Sequence, residues 1–279
     1  MKKFILKSLI FLLTALALSH VRPLYLLDHG RYKRSGAGSE VYYSIQKSMQ
    51  RNEPSPVIVL GDSVARQIFN NKTENRPVDS LACNQAIGLP GQFILLNNYV
   101  KAGNHVERVY LFLTPDSFAN NLDQVYTYHY FLKPFYTAEY FPLLTDTVIR
   151  QIHKIPYYYL SRYPHILTSN WAPDFVSKDK PTYRFISPVS AEYLVKMKEL
   201  SIRHGFQLRV VATPVNENSR QRMEEMKKEA ATDNVQGELG DYFKSMLFLD
   251  PTEFGPDGVH LKNAPKYKEY YAKMFTGKG

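Results

Sequence analysis

The stretch Pro56-Val-Ile-Val-Leu60-Gly61-Asp62-Ser63 decides the fold. Three β-branched residues and a leucine in an unbroken run are the pattern of a strand buried on both faces of a parallel sheet. The run stops at a glycine, an acid and a hydroxyl, which suit a tight strand-to-helix turn. Val64–Asn71 then reads as a helix. Four further strands are predicted at Ser80–Asn84, Arg108–Leu113, Leu208–Ala212 and Met246–Leu249, and helices at Gln92–Ala102, Ser190–His204, Ser219–Ala231 and Ala264–Phe275. The alternation predicts a three-layer α/β/α sandwich around a mainly parallel, five-stranded sheet.

Upstream of this core the chain changes character. Met1-Lys-Lys leads into the apolar run Phe4–Leu18, the layout of a secretory signal or signal anchor. A helix of about 16 residues spans only about 24 Å, less than a hydrocarbon core of about 30 Å. Lys7 could snorkel, and Val21–Leu27 adds apolar length. Ala15 and Ala17 offer a weak cleavage pattern, so residues 1–27 are read as a signal peptide or, by preference, a retained anchor. Either places the remaining chain outside the cytoplasm. Residues 28–54, with Gly36-Ala-Gly-Ser39 and a proline-flanked end, read as a linker with a short helix. The folded domain is expected over 55–279.

A chain of 279 residues, 44% hydrophobic and 22% charged, has room for a real core and fits neither a disordered nor a polytopic membrane protein. Its 35 Lys+Arg against 26 Asp+Glu give a net charge of +9. The only basic runs, Arg31–Arg34 and Lys262–Lys273, are short, and a solvated surface explains them better than nucleic acid does. The single cysteine, Cys83, lies in an apolar stretch and excludes a disulfide framework. Residues 118–188 break the βα rhythm. Tyrosine, phenylalanine and the sole Trp171 crowd this insertion between prolines, which suits a satellite core first, and sugar stacking or a membrane interface second.

In open α/β sheets ligands bind beyond the carboxyl ends of the strands. After the first strand, Ser63 is placed at a helix N-terminus, either as a plain cap or as a nucleophile among free N–H groups. After the last strand comes Asp257-Gly-Val-His260. A nucleophilic serine needs a base and a carboxylate to orient it, and Asp-x-x-His supplies both in one loop.

With these residues the chain resembles the SGNH (GDSL-type) hydrolase family, which has a flavodoxin-like sandwich. Gly61-Asp62-Ser63 is similar to the family's first block and Asp257–His260 to its last. Asn84-Gln-Ala-Ile-Gly88-Leu-Pro-Gly91-Gln92 resembles its second. The resemblance implies Ser63 as nucleophile, His260 as general base, Asp257 as its orienting carboxylate, and the Gly91 N–H as an oxyanion donor. The third block departs from the pattern. Asp116, in Leu113-Thr-Pro-Asp116-Ser117, stands where the family carries an oxyanion-binding Asn. A carboxylate about 4 Å from an oxyanion would repel it by roughly 4 kcal/mol, about a thousandfold in rate. Asp116 is therefore expected to be protonated, turned toward Ser117, or used for substrate, with Asn120, Asn121 or Asn216 supplying a donor. Thr213-Pro-Val-Asn216 puts Asn216 on the same rim. The repeated Thr-Pro also resembles the branch acting in exopolysaccharide acylation.

The expected activity is that of a serine esterase, or an acyltransferase, acting on O-acyl groups of an extracytoplasmic glycan. A non-catalytic scaffold of envelope polysaccharide assembly is the competing reading. No metal motif or phosphate loop is present in the sequence, so neither a metal nor another cofactor is expected.

Overall fold

The computed structural model describes residues 2–19, 36–51, 55–72, 78–124, 126–162, 185–230, 236–239 and 241–275. In chain order its main elements are α1 (Lys2–Ser19), α2 (Gly36–Met49), β1 (Val57–Gly61), α3 (Ser63–Ile68), β2 (Val78–Ser80), α4 (Gly88–Lys101), β3 (Arg108–Leu113), α5 (Pro115–Phe118), α6 (Asp146–Lys154), α7 (Pro188–His204), β4 (Gln207–Ala212), β5 (Val215–Asn216), α8 (Arg220–Ala230), β6 (Phe248–Leu249) and α9 (Lys268–Phe275).

The central sheet is parallel, in the order β2-β1-β3-β4. Every residue of β1 is buried. Because successive side chains alternate, Ile58, Leu60, Val109, Leu111 and Val210 enter one core. Val57, Val59, Tyr110, Phe112 and Val211 enter the other. Helices α2 and α7 pack on α4 over the first face, while α3 and α9 cover the second. A run apolar at every position is thus explained by helices on both sides.

The five-stranded expectation needs correction. The last strand does not extend the main sheet but pairs with β5 as a separate two-stranded sheet, Val215 opposite Phe248. Two features divide the sheets. Pro214 lacks an N–H to continue a ladder from β4, and the Ala212 N–H donates to the Ser245 hydroxyl at 2.9 Å. Strand β2, read as Ser80–Asn84, is shorter and lies earlier, at Val78–Ser80. Even so, Leu81 and Cys83 continue alongside β1, donating to the carbonyls of Val59 and Gly61 at 2.8 and 3.1 Å.

Within the span read as a linker, α2 is a core element. Val41 and Ile45 are buried, Asn71 Nδ2 bonds Ser44 Oγ at 2.7 Å, and Arg66 pairs with Glu40 at 2.8 Å. The described part of the aromatic insertion likewise makes no core of its own: Tyr128, Phe131, Phe135, Tyr136 and Tyr140 join the core on the α4 face. Tyr163 and Trp171 lie outside the described residues.

Helix α1 has 18 residues, about 27 Å at 1.5 Å each, and carries Lys2, Lys3 and Lys7. No helix among the described residues is long and apolar enough to cross a membrane. The expected membrane-crossing anchor thus finds no support among the described residues; Val21–Leu27, counted toward it, lie outside them.

Candidate active site

Gly61 starts the turn that presents Ser63. Its φ is +151°, and a Cβ there would lie 2.1 Å from the Phe112 carbonyl oxygen, so only glycine lets β1 run this close to β3. The buried Gln92 side chain reaches across from α4. Its Oε1 accepts from the Gly61 N–H at 3.2 Å, and its Nε2 donates to the Gly61 carbonyl at 2.7 Å.

Asp62, 1% exposed, is the N-cap of α3. One carboxylate oxygen accepts from the N–H groups of Val64 and Ala65 at 3.0 and 3.2 Å. The other accepts from the Thr114 N–H at 2.6 Å and the Ser117 hydroxyl at 2.7 Å. Four donors satisfy a buried carboxylate that forms no ion pair among the described residues. The cap role weighed for Ser63 therefore belongs to Asp62, and Ser63 is the first residue of the helix. Arg66 N–H goes to the Asp62 carbonyl. Among the described residues the Ser63 N–H has no protein acceptor, which leaves the first N–H of the helix pointing out of its end.

The second half of the site is a loop that shapes itself. Asp257 Oδ1 accepts from the N–H groups of Val259 and His260 at 3.0 and 2.9 Å. Gly258, at φ +68°, supplies the left-handed residue of this turn. The loop closes through Gly255 N–H to the His260 carbonyl at 2.7 Å. Leu261 N–H to Gln67 Oε1, 3.1 Å, fastens it to the helix that bears Ser63.

The two halves meet at the imidazole. His260 Nδ1 is 2.5 Å from Asp257 Oδ2, and His260 Nε2 is 2.8 Å from Ser63 Oγ. With Nδ1–H donating to the carboxylate, Nε2 is left as the acceptor for the serine proton. The His260 ring, together with the Val259 and His260 N–H groups, pulls the Asp257 carboxyl down to about 2. Asp257 thus stays ionised wherever the imidazole is needed as a base.

The remaining predicted residues are distributed differently. Gly91 is buried in the fourth position of α4, where the N–H is the first to find an intrahelical carbonyl. A Cβ on Gly91 would meet Ile87 at 2.7 Å, so the glycine serves close packing and not substrate approach. This corrects its assignment as an oxyanion donor. Gly88, at φ +58°, is the glycine that the turn itself requires.

Asp116 does not turn to Ser117, which is engaged by Asp62. It forms an ion pair with the Arg222 guanidinium on α8. The two line a recess of about 40 Å³ with Asn216, Ser219, Gly258 and Val259. Asn216 Oδ1 accepts from the Asn218 N–H at 3.0 Å. Asn120 is buried with its Nδ2 on the Gln85 carbonyl at 2.9 Å, and Asn121 is buried as well. Three participants had no role in the sequence reading. Asp62 and Gln92 lay inside the quoted motifs, whereas Arg222 sits on a highly charged helix with nothing to single it out. Among the described residues, no group of three or more His, Cys, Asp or Glu could hold a metal.

The fold and the site together define a three-layer α/β protein with a Ser–His–Asp array at the carboxyl ends of its strands. No family model matches the chain, and no curated protein matches it. Among solved structures it is similar to one described as a "putative platelet activating factor" from Streptococcus pneumonia. That likeness has 10% identity and a TM-score of 0.40, covering 94% of this chain and 98% of the other. At such a distance it decides neither fold nor activity.

Proposed function

We propose that this chain is a serine esterase of SGNH type that removes or transfers short acyl groups on a glycan outside the cytoplasm. The observation that carries the reading is the unbroken line from Ser63 Oγ through His260 to Asp257, at 2.8 and 2.5 Å. Ser63 Oγ bonds to the ester carbonyl carbon as His260 Nε2 takes its proton. Collapse of the tetrahedral intermediate breaks the bond to the leaving alkoxide, which receives that proton and departs as an alcohol. Water then gives a proton to His260 and attacks the acyl-serine. The carboxylic acid leaves and Ser63 regains its proton. A sugar hydroxyl in place of water makes the same cycle a transfer.

A glycan substrate is supported by the polar recess beside the His260 loop. Asp116, Arg222, Asn216 and Ser219 offer charge and hydrogen bonds of the sort that hydroxyl-rich rings accept. The pairing of Asp116 with Arg222 also answers the objection that favoured a scaffold, because a neutralised carboxylate no longer opposes an oxyanion as a bare one would. Export is supported by the Lys2-Lys3 lead and the apolar helix behind it.

The test is hydrolysis of p-nitrophenyl acetate together with labelling by an active-site-directed phosphonate. Wild type is expected to turn over and to be labelled at Ser63, while Ser63→Ala and His260→Ala lose both. An unlabelled, inactive wild type would favour the scaffold. A panel of acetylated polysaccharides, with water or sugar as acceptor, then separates substrates and hydrolysis from transfer.

A further inference from the structure

Stabilising a tetrahedral intermediate ordinarily takes two or more aimed donors, and the Ser63 N–H is one. Gly91 is committed to its helix, and the recess holding Asp116 and Asn216 adjoins Gly258 and Val259, so it lies on the histidine's side of the nucleophile. The complementary side faces β2.

There the backbone register is explicit. Cys83 N–H donates to the Gly61 carbonyl at 3.1 Å, which sets Asn84 alongside Asp62 and Ser63, about one strand spacing of 4.8 Å away. Asn216 lies in the separate β5–β6 sheet, and its Nδ2 faces Gly258 on the loop that carries the histidine. Side-chain parity also favours Asn84. Leu81 and Cys83 enter the α4-side core and Ala82 enters the α3-side core. Asn84 is extended (φ −103°, ψ 142°), so alternation puts its side chain on the face where α3 begins with Ser63.

The amide is held in one orientation. Oδ1 accepts the Ala86 N–H at 2.9 Å, capping the short turn Gln85–Ile87. That fixes Nδ2 as the outward end, and among the described residues Nδ2 has no acceptor. Asn84 is only partly buried, so a ligand can reach it.

We infer that Asn84 Nδ2 is the second oxyanion donor of this site, taking the part that Asp116 cannot play. The inference rests on the acyl-transfer reading above. The oxyanion then lies between the Ser63 N–H and the Asn84 amide, across the nucleophile from His260, with Asp116 engaged by Arg222 in the recess beyond.

The experiment compares wild type, Asn84→Ala and Asn84→Asp in p-nitrophenyl acetate hydrolysis, with melting temperature as the folding control. Aspartate retains the Oδ1 cap, removes the donor and adds a negative charge, so Asn84→Ala is the variant that reads the donor alone. Both variants are expected to lose about 100- to 1,000-fold in kcat with KM within about threefold, and Asn84→Asp to melt like wild type. Full kcat in Asn84→Ala, or recovery of kcat in Asn84→Asp, overturns the inference and leaves Asn84 a cap. A wild type that neither turns over nor labels at Ser63 defeats the esterase reading instead, so the two failures are distinguishable.

Discussion

The turn that carries the nucleophile and the loop that carries the base are built on opposite plans. Asp62 is 1% exposed, and its side-chain bonds run to Thr114 just past β3 and to Ser117 of α5 as well as to its own helix. The Asp257 side chain is 51% exposed, and its bonds stay within three residues. Gly61 and Asp62 are fixed by strands and helices distant in sequence, whereas Asp257 and His260 largely fix each other. The first design holds Ser63 still. The second leaves the imidazole reachable from solvent, as a base that must accept and return protons requires.

This contrast can be broken most severely at Asp62. Asp62→Ala strands the N–H groups of Val64, Ala65 and Thr114, at about 1–3 kcal/mol for each that stays buried and unpaired, while the Ser117 hydroxyl keeps its 2.9 Å bond with the Thr114 hydroxyl. The expected result is a chain that does not fold stably, read as loss of a cooperative melt; a wild-type melt would show that the turn is not held through this carboxylate. Gln92→Leu is milder because the Gly61 carbonyl keeps its bond from Cys83. One orphaned N–H should cost roughly 2 kcal/mol in denaturant titration.

At Asp257 the effect moves from stability to rate. Asp257→Asn should lower kcat by about 10²- to 10⁴-fold, through the wrong imidazole tautomer, while the melting temperature stays within about 2 °C. A large drop in melting temperature with little change in rate would reverse the comparison. Acid sharpens it further. A carboxyl lowered from the ordinary 3.8 to about 2 contributes an orientation that is complete above about pH 4 and lost as pH falls through about 2. A carbon-13 titration of Asp257 should therefore show a midpoint near 2, and one near 3.8 would sever the pairing with His260.

The smallest effect belongs to the recess. Arg222 and Asp116 are both about half exposed, 56% and 47%, so their pair adds little to stability. Arg222→Ala should leave the melt unchanged and raise KM severalfold for a glycan ester, with p-nitrophenyl acetate nearly unaffected. An equal loss on both esters would place Arg222 nearer the reacting atoms.

Much of this was written locally. The unbroken apolar run in Pro56–Leu60, the glycine-acid-hydroxyl turn and the Asp-x-x-His loop depend on neighbours along the chain, and patterning and turn chemistry read such neighbours directly. The sheet was overcounted because Met246–Leu249 has the composition of a strand, and composition does not say which edge it joins. Helix α2 was read as linker because its apolar positions are few. Val41 and Ile45 become core only when α4 lies beneath them.

By itself, then, the amino-acid sequence determined that helices flank a parallel sheet and that a serine and an Asp/His pair end up at strand termini. Tertiary structure alone decided that Asp62 caps α3 and holds Thr114 just past β3, that Gly91 packs on Ile87, that Arg222 neutralises Asp116, and that Cys83, the residue before Asn84, bonds Gly61. The physical reason is range. Turn and strand preferences act over a few residues, whereas strand order and register bring together groups tens to hundreds of positions apart, and no local pattern records which of them will meet.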